Sequence, residues 1–512
     1  MAQSEGDYPV RPARFRSSED FERCIPVHAV WEITLACDLK CQHCGSRAGR
    51  ARPNELNSQE CLDVIDALAR LGTREVNLIG GEAYLRPDWA TLVGHIRSRG
   101  MNCLIQTGGR NFKDSFIQAA VGAGLNGLGV SLDGMRELHD EVRGVPGSFD
   151  RAIATLQRAR AAGLSISVNT QIGSRTAPDL PALLDVIAGV GATHWQLQLT
   201  VAMGNAADNE ELLLQPHALL EMMPLLARLY EEGKKRGVLL LMGNNIGYFG
   251  PYEHLWRGFG DERVHWTGCS GGHTVIAIES DGLVKGCPSL ESGEFGAGNI
   301  RNMSLEDIWE RSERIRFSRL RSSEELWGFC GSCYYRETCL GGCTWTSHSL
   351  LGRAGNNPYC HYRALDLQKR GLRERIVKIE DAPARSFAIG KFALVCETID
   401  GKELVAEPTP VRGEQARLVQ PAFLRQDAPT VPRTPANLGL CRSCLEYVQK
   451  HEEICPHCGA NIAGAQALWA AARSRGLAAM SKLQAALEAL SGAPLPGRDT
   501  DHSKSLNQEI HK

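Results

Sequence analysis

Residues 27–50 read VHAVWEITLACDLKCQHCGSRAGR, an apolar strand candidate that runs directly into three cysteines. Cys37, Cys41 and Cys44 follow the spacing CxxxCxxC. Three thiolates on one loop leave a four-coordinate structural site incomplete, but they can hold three irons of a 4Fe–4S cube and leave the fourth iron open for a substrate or cofactor. A zinc loop that takes His43 as its fourth ligand is the alternative. The position directly after a strand favours the cluster.

Outward from this loop, residues 27–243 alternate short apolar segments with amphipathic ones. The strand candidates are Val30–Ala36, Glu75–Ile79, Cys103–Thr107, Leu128–Leu132, Ile166–Ile172 and His194–Thr200. The helix candidates between them are Asn57–Leu71, Phe112–Ala123, Phe149–Ala162 and Leu180–Val190. Repeated strand–helix units predict an α/β fold with a parallel sheet and right-handed crossovers. Six units are too few for an eight-stranded barrel, so we expect an open, partial barrel with its chemistry just after the strands.

The composition of the chain is that of a globular protein without a membrane span. Its 512 residues carry 57 Lys and Arg against 59 Asp and Glu, a net charge of −2 that argues against chain-wide nucleic-acid binding. The first residues, MAQSEGDYPVRPARFR, lack the apolar core of a secretory signal. We therefore expect a cytoplasmic protein, in which 18 cysteines indicate metal centres rather than disulfides.

Two further motifs follow predicted strands. Gly80-Gly81-Glu82-Ala83 comes after the second strand, and VSLDGMRELHDEVRG begins at residue 130, in the fourth. With the cysteine loop, these motifs resemble the radical SAM enzymes, whose CxxxCxxC follows the first strand of a partial barrel. The resemblance implies a partial (β/α)6 barrel over residues 27–243 that binds S-adenosylmethionine (SAM). Ala83 stands where the family usually has proline.

The resemblance also assigns roles to single residues. It implies that SAM is held by Gly80, Gly81, Glu82, Ser131 and Arg143. Glycines permit a close backbone approach, a carboxylate suits the ammonium group of SAM, and the arginine fork suits its carboxylate. Asp133, His139 and Asp140 are interpreted as turn and capping residues.

The implied chemistry follows from the cofactor. The reduced cluster would donate one electron to the sulfonium of SAM, and the resulting 5′-deoxyadenosyl radical would take a hydrogen atom from an unactivated carbon. This step needs no general base, so no catalytic residue is assigned beyond the cluster. A reductant such as ferredoxin or flavodoxin is implied as a partner.

Seven cysteines between residues 269 and 360 form a second set. Their spacing resembles the SPASM domain of radical SAM peptide-modifying enzymes, which implies two auxiliary 4Fe–4S clusters and three clusters in all. Carried over by position, one auxiliary cluster takes Cys330, Cys333, Cys339 and Cys360, and the other takes Cys269, Cys287 and Cys343. The second cluster lacks one ligand, so either a non-cysteine ligand completes it or one iron stays open. Pro288 stands where sulfatase-maturing relatives have an acid, which argues against formylglycine formation. Structural zinc is the alternative for the set.

A third set consists of Cys441, Cys444, Cys455 and Cys458, in the pattern CxxC-x10-CxxC. This spacing predicts a zinc ribbon, with a rubredoxin-like iron as the alternative. Four thiolates saturate Zn²⁺, so we expect a structural site. The surrounding HEEICPHCGANIAG has few basic residues, which favours docking of a peptide or partner protein over nucleic acid.

The predicted organisation has eight segments. They are an N-terminal extension (1–26), the radical SAM partial barrel (27–243), a Gly- and aromatic-rich connector (244–265), the SPASM region (266–372), in which metal replaces a hydrophobic core, a strand and loop linker with a Pro-rich stretch near Asp427–Pro435 (373–440), the zinc ribbon (441–462), an amphipathic helix (463–492) and a disordered tail (493–512).

These features predict an enzyme that oxidatively modifies a ribosomally made peptide, by crosslinking, decarboxylation, excision or epimerisation. The substrate class comes from the SPASM resemblance alone. The 36 residues before Cys37 are too few for a winged-helix leader-recognition domain, so leader binding would fall to a separate protein or to residues 373–490. The alternatives are maturation of a protein or cofactor precursor of the sulfatase, quinone or tetrapyrrole type, a non-catalytic iron–sulfur or zinc scaffold, and nucleic-acid binding by the ribbon.

Overall fold

Strands and helices alternate through the first half of the chain. In this computed structural model, which describes residues 13–257, 264–407 and 438–491, the strands are β1 (His28–Thr34), β2 (Glu75–Gly80), β3 (Asn102–Thr107), β4 (Gly127–Ser131), β5 (Ser165–Ile172), β6 (His194–Leu199), β7 (Leu239–Met242), β8 (Val275–Ile278), β9 (Leu283–Lys285), β10 (Gly298–Asn299), β11 (Leu372–Glu380), β12 (Lys391–Thr398), β13 (Glu403–Glu407), β14 (Leu438–Leu440) and β15 (Tyr447–Gln449).

The helices, numbered in the same way, range from single turns to one of 30 residues. They are α1 (Ser18–Glu22), α2 (Ser58–Arg70), α3 (Trp89–Ser98), α4 (Asp114–Gly122), α5 (Arg136–Arg143), α6 (Ser148–Ala161), α7 (Leu180–Val190), α8 (Asn205–Asp208), α9 (Leu219–Lys235), α10 (Glu253–Trp256), α11 (Ser292–Phe295), α12 (Leu305–Arg311), α13 (Gly328–Gly331), α14 (Arg336–Cys339), α15 (Thr344–Leu351), α16 (His361–Lys369) and α17 (Ile462–Ser491).

Ten of these strands form one sheet in the order β10-β9-β8-β1-β2-β3-β4-β5-β6-β7. Strands β1 to β7 pair in sequence and all run parallel, so their carboxyl ends meet at one edge. The predicted α/β partial barrel is confirmed. The structure adds a seventh parallel strand, β7, whose sequence LLLM has no alternation by which a strand could be distinguished from a buried helix turn.

Helix α2 illustrates how local sequence fixes these elements. It starts at Ser58 because Asn57 and Glu60 form a capping box, and it ends before Gly72, whose φ of +84° suits glycine. Its buried face belongs to the main hydrophobic core, which fills the space between the helices and the sheet. The helix predicted over Asn57–Leu71 agrees with these bounds to within one residue at each end.

The cysteine-rich region after residue 264 continues the barrel sheet. Strand β8 pairs parallel with β1 on the side opposite β2, and β9 and β10 extend the sheet by antiparallel pairing. The expectation that metal replaces a hydrophobic core here is wrong for part of the region, because Leu305, Ile308, Trp309, Ile315 and Leu350 join the main core. Strands β11, β12 and β13 form a separate antiparallel sheet, and the Pro-rich stretch near Asp427–Pro435 lies outside the described residues.

The contacts of the chain divide it at residue 436. In the second unit β14 and β15 form a hairpin that carries the ribbon cysteines, and α17 follows it. The side chains of Leu468, Leu477, Met480 and Leu483 on α17 are all more than half exposed, so the apolar residues of this helix do not form a packed face. The tail at 493–512 lies outside the described residues. Among the described helices, none has the length and apolar character that a bilayer span requires.

Candidate functional site

The cysteines of residues 37–44 lie on the loop that follows β1, at the carboxyl edge of the parallel strands. The last carbonyl groups of α5 accept hydrogen bonds from the backbone N–H groups of Lys40 and Gln42. The side chain of Asn205, in α8, donates to the carbonyl oxygen of Cys41 at 2.8 Å. The barrel therefore places this loop through contacts with segments that are distant in sequence.

The three thiols of the loop do not converge on one point as the ligands of a single ion would. In the described parts of the chain, the groups of side chains whose ligand atoms all lie within 4.8 Å of one another are Cys441, Cys444, Cys455 and Cys458; Cys37, Asp38 and Glu82; and Glu291, Glu294 and His348. Cys37, Cys41 and Cys44 are not brought that close, as expected for thiolates that bind separate irons of one cube. Burial raises the pKa of Cys41 to about 11, so iron binding there must displace a proton.

Gly80 and Gly81 bring the end of β2 against this loop. The N–H group of Gly81 donates to the carbonyl of Thr34 at 2.9 Å. A Cβ atom on Gly81 would lie 2.2 Å from the carbonyl oxygen of Ala36 and 2.6 Å from the Cβ of Cys37. The contact leaves no room for a side chain, so the sequence needs glycine at this position.

Glu82 is the acid at this junction, and it is 1% exposed. It accepts hydrogen bonds from the Thr107 hydroxyl and, at 2.7 Å, from the Gly108 N–H group. Burial outweighs these bonds and raises the pKa of Glu82 to about 7. Its carboxylate lies within 4.8 Å of the Cys37 thiol. A buried acid beside the cysteine loop fits the amino group of SAM.

Arg143 contacts the loop from the end of α5. Its Nη1 atom lies 3.6 Å from Cys41 Sγ, and its Nη2 atom lies 2.5 Å from Asp133 Oδ2. Asp133 is fully buried, lies 3.0 Å from His43 Nε2, and accepts the N–H group of Gln171. The interpretation of Asp133 as a turn residue is wrong, because its buried carboxylate pairs with Arg143 and contacts His43, which come from distant segments.

The neighbouring Asp140 does have the capping role predicted for it. It accepts the N–H groups of Gly147 and Phe149 at the start of α6. Ser131, predicted to contact SAM, is the last residue of β4 and pairs in register with Asn169 of β5. The SAM contacts of Ser131 and Arg143 stay predictions.

The inner face of the sheet, opposite to the helices, is lined with amides. In β3, β5 and β6, buried residues that pack under the helices alternate with half-buried ones. The half-buried amides are Gln106, Asn169, Gln171, Gln196 and Gln198. The Asn169 side chain donates to Gln106 across the intervening strand β4. Strands β1 to β7, all within the described residues, contain neither Lys nor Arg.

Four of the second-set cysteines, which the family resemblance assigns to one cluster, line one cavity. These are Cys330, Cys333, Cys339 and Cys360. Aromatic rings form part of the wall, and the ring of Tyr335 stacks on that of Phe249 with 3.7 Å between centroids. Four thiols around one shielded cavity fit a single cluster.

The other three cysteines, Cys269, Cys287 and Cys343, meet at a second place. Cys269 and Cys287 pack against an apolar cluster that includes Phe317. Burial, followed by the nearness of Cys269, raises the pKa of Cys287 to about 11. Burial lowers the pKa of Arg16 to about 10, while the nearby Cys269 opposes this change. The surroundings of the three-cysteine set, which lacks a fourth cysteine ligand, therefore include the guanidinium group of Arg16.

Tyr248 joins the two auxiliary sets, although the sequence analysis placed it in a connector. The N–H group of Cys343 donates to Tyr248 Oη at 2.9 Å, and the hydroxyl donates to the carbonyl of Asn244 at 2.7 Å. Cys360 Sγ lies 3.6 Å from the carbonyl oxygen of Tyr248. Because Cys343 and Cys360 are at least 95 residues away from Tyr248, only the aromatic pair at 248–249 could have indicated its role.

The ribbon cysteines converge on one point. The Sγ atoms of Cys441 and Cys458 lie 3.9 Å apart, and those of Cys444 and Cys455 lie 3.7 Å apart. Thiolates bound at 2.3 Å around a tetrahedral ion would be about 3.8 Å apart. The four predicted ligands therefore have the spacing of a single-ion site.

Family comparisons agree with this arrangement. The Radical SAM superfamily model matches residues 31–180, and the SPASM model, an iron–sulfur cluster-binding domain, matches residues 269–334. An AdoMet-dependent heme synthase of Methanosarcina barkeri is 29% identical over 354 residues, which is 65% of this chain and 95% of that protein. The mycofactocin maturase MftC of Mycolicibacterium smegmatis is 31% identical over 335 residues, which is 64% of this chain and 81% of that protein.

Solved structures show the same fold at lower identity. anSMEcpe with bound AdoMet is 19% identical with a TM-score of 0.53, over 66% of this chain and 95% of that one. Streptococcus suis SuiB bound to S-adenosylmethionine is 17% identical with a TM-score of 0.51, over 66% of this chain and 76% of that one. The regions matched by the two family models contain the cysteine loop and four of the seven auxiliary cysteines. The chain therefore belongs to the radical SAM superfamily and carries a SPASM iron–sulfur cluster-binding domain.

Proposed function

We propose that this protein is a radical SAM peptide maturase, which cleaves SAM reductively and oxidises a ribosomally made peptide. The amide-lined inner face of the barrel carries this proposal. Each Gln or Asn side chain offers donors and an acceptor, which match the C=O and N–H groups of a peptide backbone. The 31% identity with a protein named as a maturase supports the same class.

The cysteine loop and the end of β2 would form the reaction centre. Cys37, Cys41 and Cys44 would hold the cluster, and Gly81 and Glu82 would hold the amino group of SAM. When bound, these groups supply a one-electron reduction that yields an adenosyl radical. The chain itself orients the loop through Arg143 and Asn205 and excludes water from Glu82.

The remaining cysteines would complete the metal content. Cys330, Cys333, Cys339 and Cys360 would hold one auxiliary cluster, and Cys269, Cys287 and Cys343 would hold the other. The ribbon would hold Zn²⁺, which its four thiolates saturate. A ferredoxin or flavodoxin would supply electrons in the cytoplasm, and a separate protein or the region from residue 373 onward would bind the leader of the peptide.

Modification of a tetrapyrrole is the second candidate. The heme synthase of Methanosarcina barkeri aligns over 95% of its own length, which favours this reading. Carboxylate side chains of a tetrapyrrole would need cations near the active site. Strands β1 to β7, which the structure describes in full, supply neither Lys nor Arg, and the nearby Arg175 already pairs with Glu141 at 2.6 Å. The inner face of the barrel therefore suits a peptide better.

The test is SAM cleavage by the anaerobically reconstituted enzyme under a strong reductant. Three reactions are compared: no substrate, the peptide encoded by a neighbouring short reading frame, and an iron porphyrin with carboxylate side chains. We expect the peptide alone to raise 5′-deoxyadenosine formation and to change in mass. Stimulation and mass change with the porphyrin alone would instead assign the protein to the tetrapyrrole class.

A variant pair tests the amide face directly. Gln196→Leu should raise the KM for the peptide and leave substrate-free SAM cleavage unchanged, because Gln196 lies on β6, away from the cysteine loop. Gln59→Leu, on the exposed side of α2, is the matched control. Equal KM values for the two variants would contradict the role of the amide face.

The metal content tests the assignment of the cysteines. Three clusters and a ribbon predict roughly twelve irons and one zinc per chain. Roughly four irons with several zinc ions would mean that the cysteines at 269–360 do not bind clusters.

A further inference from the structure

A group of metal-ligating side chains that the proposed reaction does not use lies beside the three-cysteine set. Glu291, Glu294 and His348 each offer one ligand atom, and these atoms all lie within 4.8 Å of one another. Glu291 directly precedes α11, the short helix that follows Cys287, and Glu294 lies on it. His348 lies on α15, which begins directly after Cys343.

His348 points into this group, and its Nε2 atom makes no well-formed hydrogen bond. The residue is 1% exposed, and its Nε2 atom has no hydrogen-bond partner in the part of the chain that the structure describes. Nε2 lies 3.4 Å from Glu294 Oε2 and 3.8 Å from Glu291 Oε2. Neither contact is a well-formed hydrogen bond, so the two carboxylates compensate the buried nitrogen poorly for its lost hydration.

His95 shows an ordinary histidine–carboxylate contact in the same protein. Its Nε2 atom lies 2.7 Å from Asp66 Oδ1. The two places have the same chemistry, because an arginine also pairs with Asp66 and another pairs with Glu291. At His348 the nitrogen nevertheless stays apart from two carboxylates that it could approach.

The longer distances are those of ligands that share an ion. Metal–ligand bonds of about 2.1 Å at angles of about 108° to 130° place the donor atoms roughly 3.4 to 3.8 Å apart. We propose that Glu291, Glu294 and His348 bind one divalent transition-metal ion. One imidazole and two carboxylates suit Mn²⁺, Fe²⁺ or Zn²⁺ and differ from the all-thiolate sites of the clusters. The side chain of Glu294 is 51% exposed, so water can reach the remaining coordination positions.

The ion would connect two segments that carry auxiliary cysteines. One segment runs from Cys287 to Glu294, and the other runs from Cys343 to His348. A shared ion would fix the distance between these segments at the places where they pack beside the three-cysteine set. This role is structural and does not depend on the identity of the substrate.

The experiment compares the metal content of the reconstituted holoenzyme in four forms. Wild type, Glu294→Gln, His348→Gln and His95→Gln are dialysed against Mn²⁺, passed through a desalting column, and analysed for total manganese, iron and zinc. We expect wild type and His95→Gln to carry one metal ion per chain more than Glu294→Gln and His348→Gln. Counting all three metals covers the case in which iron or zinc already fills the site.

Two results would overturn the proposal. One is an equal total metal content in wild type and Glu294→Gln, and the other is an equal loss in His95→Gln. Glu294 is half-exposed, so its replacement should not affect folding even if that of the buried His348 does. The visible iron–sulfur absorption of each variant shows that the clusters remain and that the missing ion is not a cluster iron.

Discussion

Cys41 and Cys441 contrast two ways in which this chain holds metal ligands. The loop of Cys41 is fixed by Asn205, which is 164 positions further along the chain, and by the end of α5. Cys441 and Cys458 are only 17 positions apart, and the backbone hydrogen bonds of Cys441 stay within five residues of it. The barrel builds the first site, whereas local turns alone shape the second.

The barrel and the ribbon also differ in whether their metal-site cysteines belong to the hydrophobic core. The barrel loop lies on a large apolar core that contains none of its three cysteines. In the ribbon, by contrast, Cys441 and Cys455 are themselves core residues, packed with Val448, Cys444 and Ile462. A metal cluster bound at the barrel loop would therefore be added to a finished fold, whereas a metal ion bound in the ribbon would be part of the fold.

The largest effect that this contrast predicts is a loss of SAM cleavage without a loss of stability. Cys41→Ala should reduce SAM cleavage below detection, because the loop can no longer hold three irons. The thermal unfolding of the barrel should hardly change, since distant contacts hold the loop backbone. The measurements are 5′-deoxyadenosine formation and calorimetry, and retained SAM cleavage would contradict the assignment of the cluster.

Gly81→Ala should cause a smaller loss in the rate of SAM cleavage. The added Cβ would lie 2.2 Å from the carbonyl oxygen of Ala36, so the end of β2 must move away from the cysteine loop. A displacement of about 1 Å can cost about 100-fold in rate. Gly94→Ala is the matched control, because a Cβ there has nothing within 4 Å. Equal rates for both variants would show that the close contact is not needed.

Asp133→Asn tests how the barrel supports its loop. It leaves Arg143 and His43 without their buried counter-ion, and breaking such a pair costs about 3 kcal/mol. We expect this loss in the urea unfolding of the barrel, with the zinc content of the ribbon unchanged. Asp66→Asn, at a more exposed pair, should cost less than about 1 kcal/mol.

Acid should weaken the barrel through His28, at the start of β1. Burial, with a smaller effect of Arg14, lowers the pKa of His28 from 6.5 to about 3. The folded state therefore resists protonation, and the stability present above pH 6.5 falls by about 2 kcal/mol by pH 5. The free energy of unfolding of His28→Phe, measured across this range, should fall less steeply than that of wild type. Parallel slopes would contradict the effect.

The smallest effect on the barrel should come from the ribbon. Replacing both Cys441 and Cys444 by serine should release the ribbon metal and make residues 441–462 sensitive to protease. Substrate-free SAM cleavage should stay within about twofold of wild type, because the ribbon and the barrel belong to separate compact units. A large loss of cleavage would mean that the ribbon does not act independently of the barrel.

The parts that the sequence predicts well are those set by short spacings. The cysteine loop, the glycine pair at 80–81 and the ribbon each depend on residues within about 20 positions, and the capping of α2 is equally local. Alternating apolar residues also predicted β3, β5 and β6, because each buries one face under helices.

The parts that it misses depend on partners far apart in the chain. Asp133 looked like a turn residue because nothing nearby shows that His43 will reach it from 90 positions away. Tyr248 and the group around His348 were missed for the same reason. Strand β7 was missed for a different reason. A run of four apolar residues shows no alternation between apolar and polar positions that would indicate a strand.

The pairing of β8 with β1 also sets an order of events during synthesis. Strand β1 is complete at Thr34, but its second neighbour ends at Ile278, 244 residues later. At ribosomal speeds this interval lasts roughly 10 to 50 s. Throughout that time one side of β1 is an unpaired edge, and the cysteine loop has been made before any auxiliary cysteine. The cysteine loop is therefore accessible before the auxiliary cysteines exist, while the nascent barrel is still open on that side.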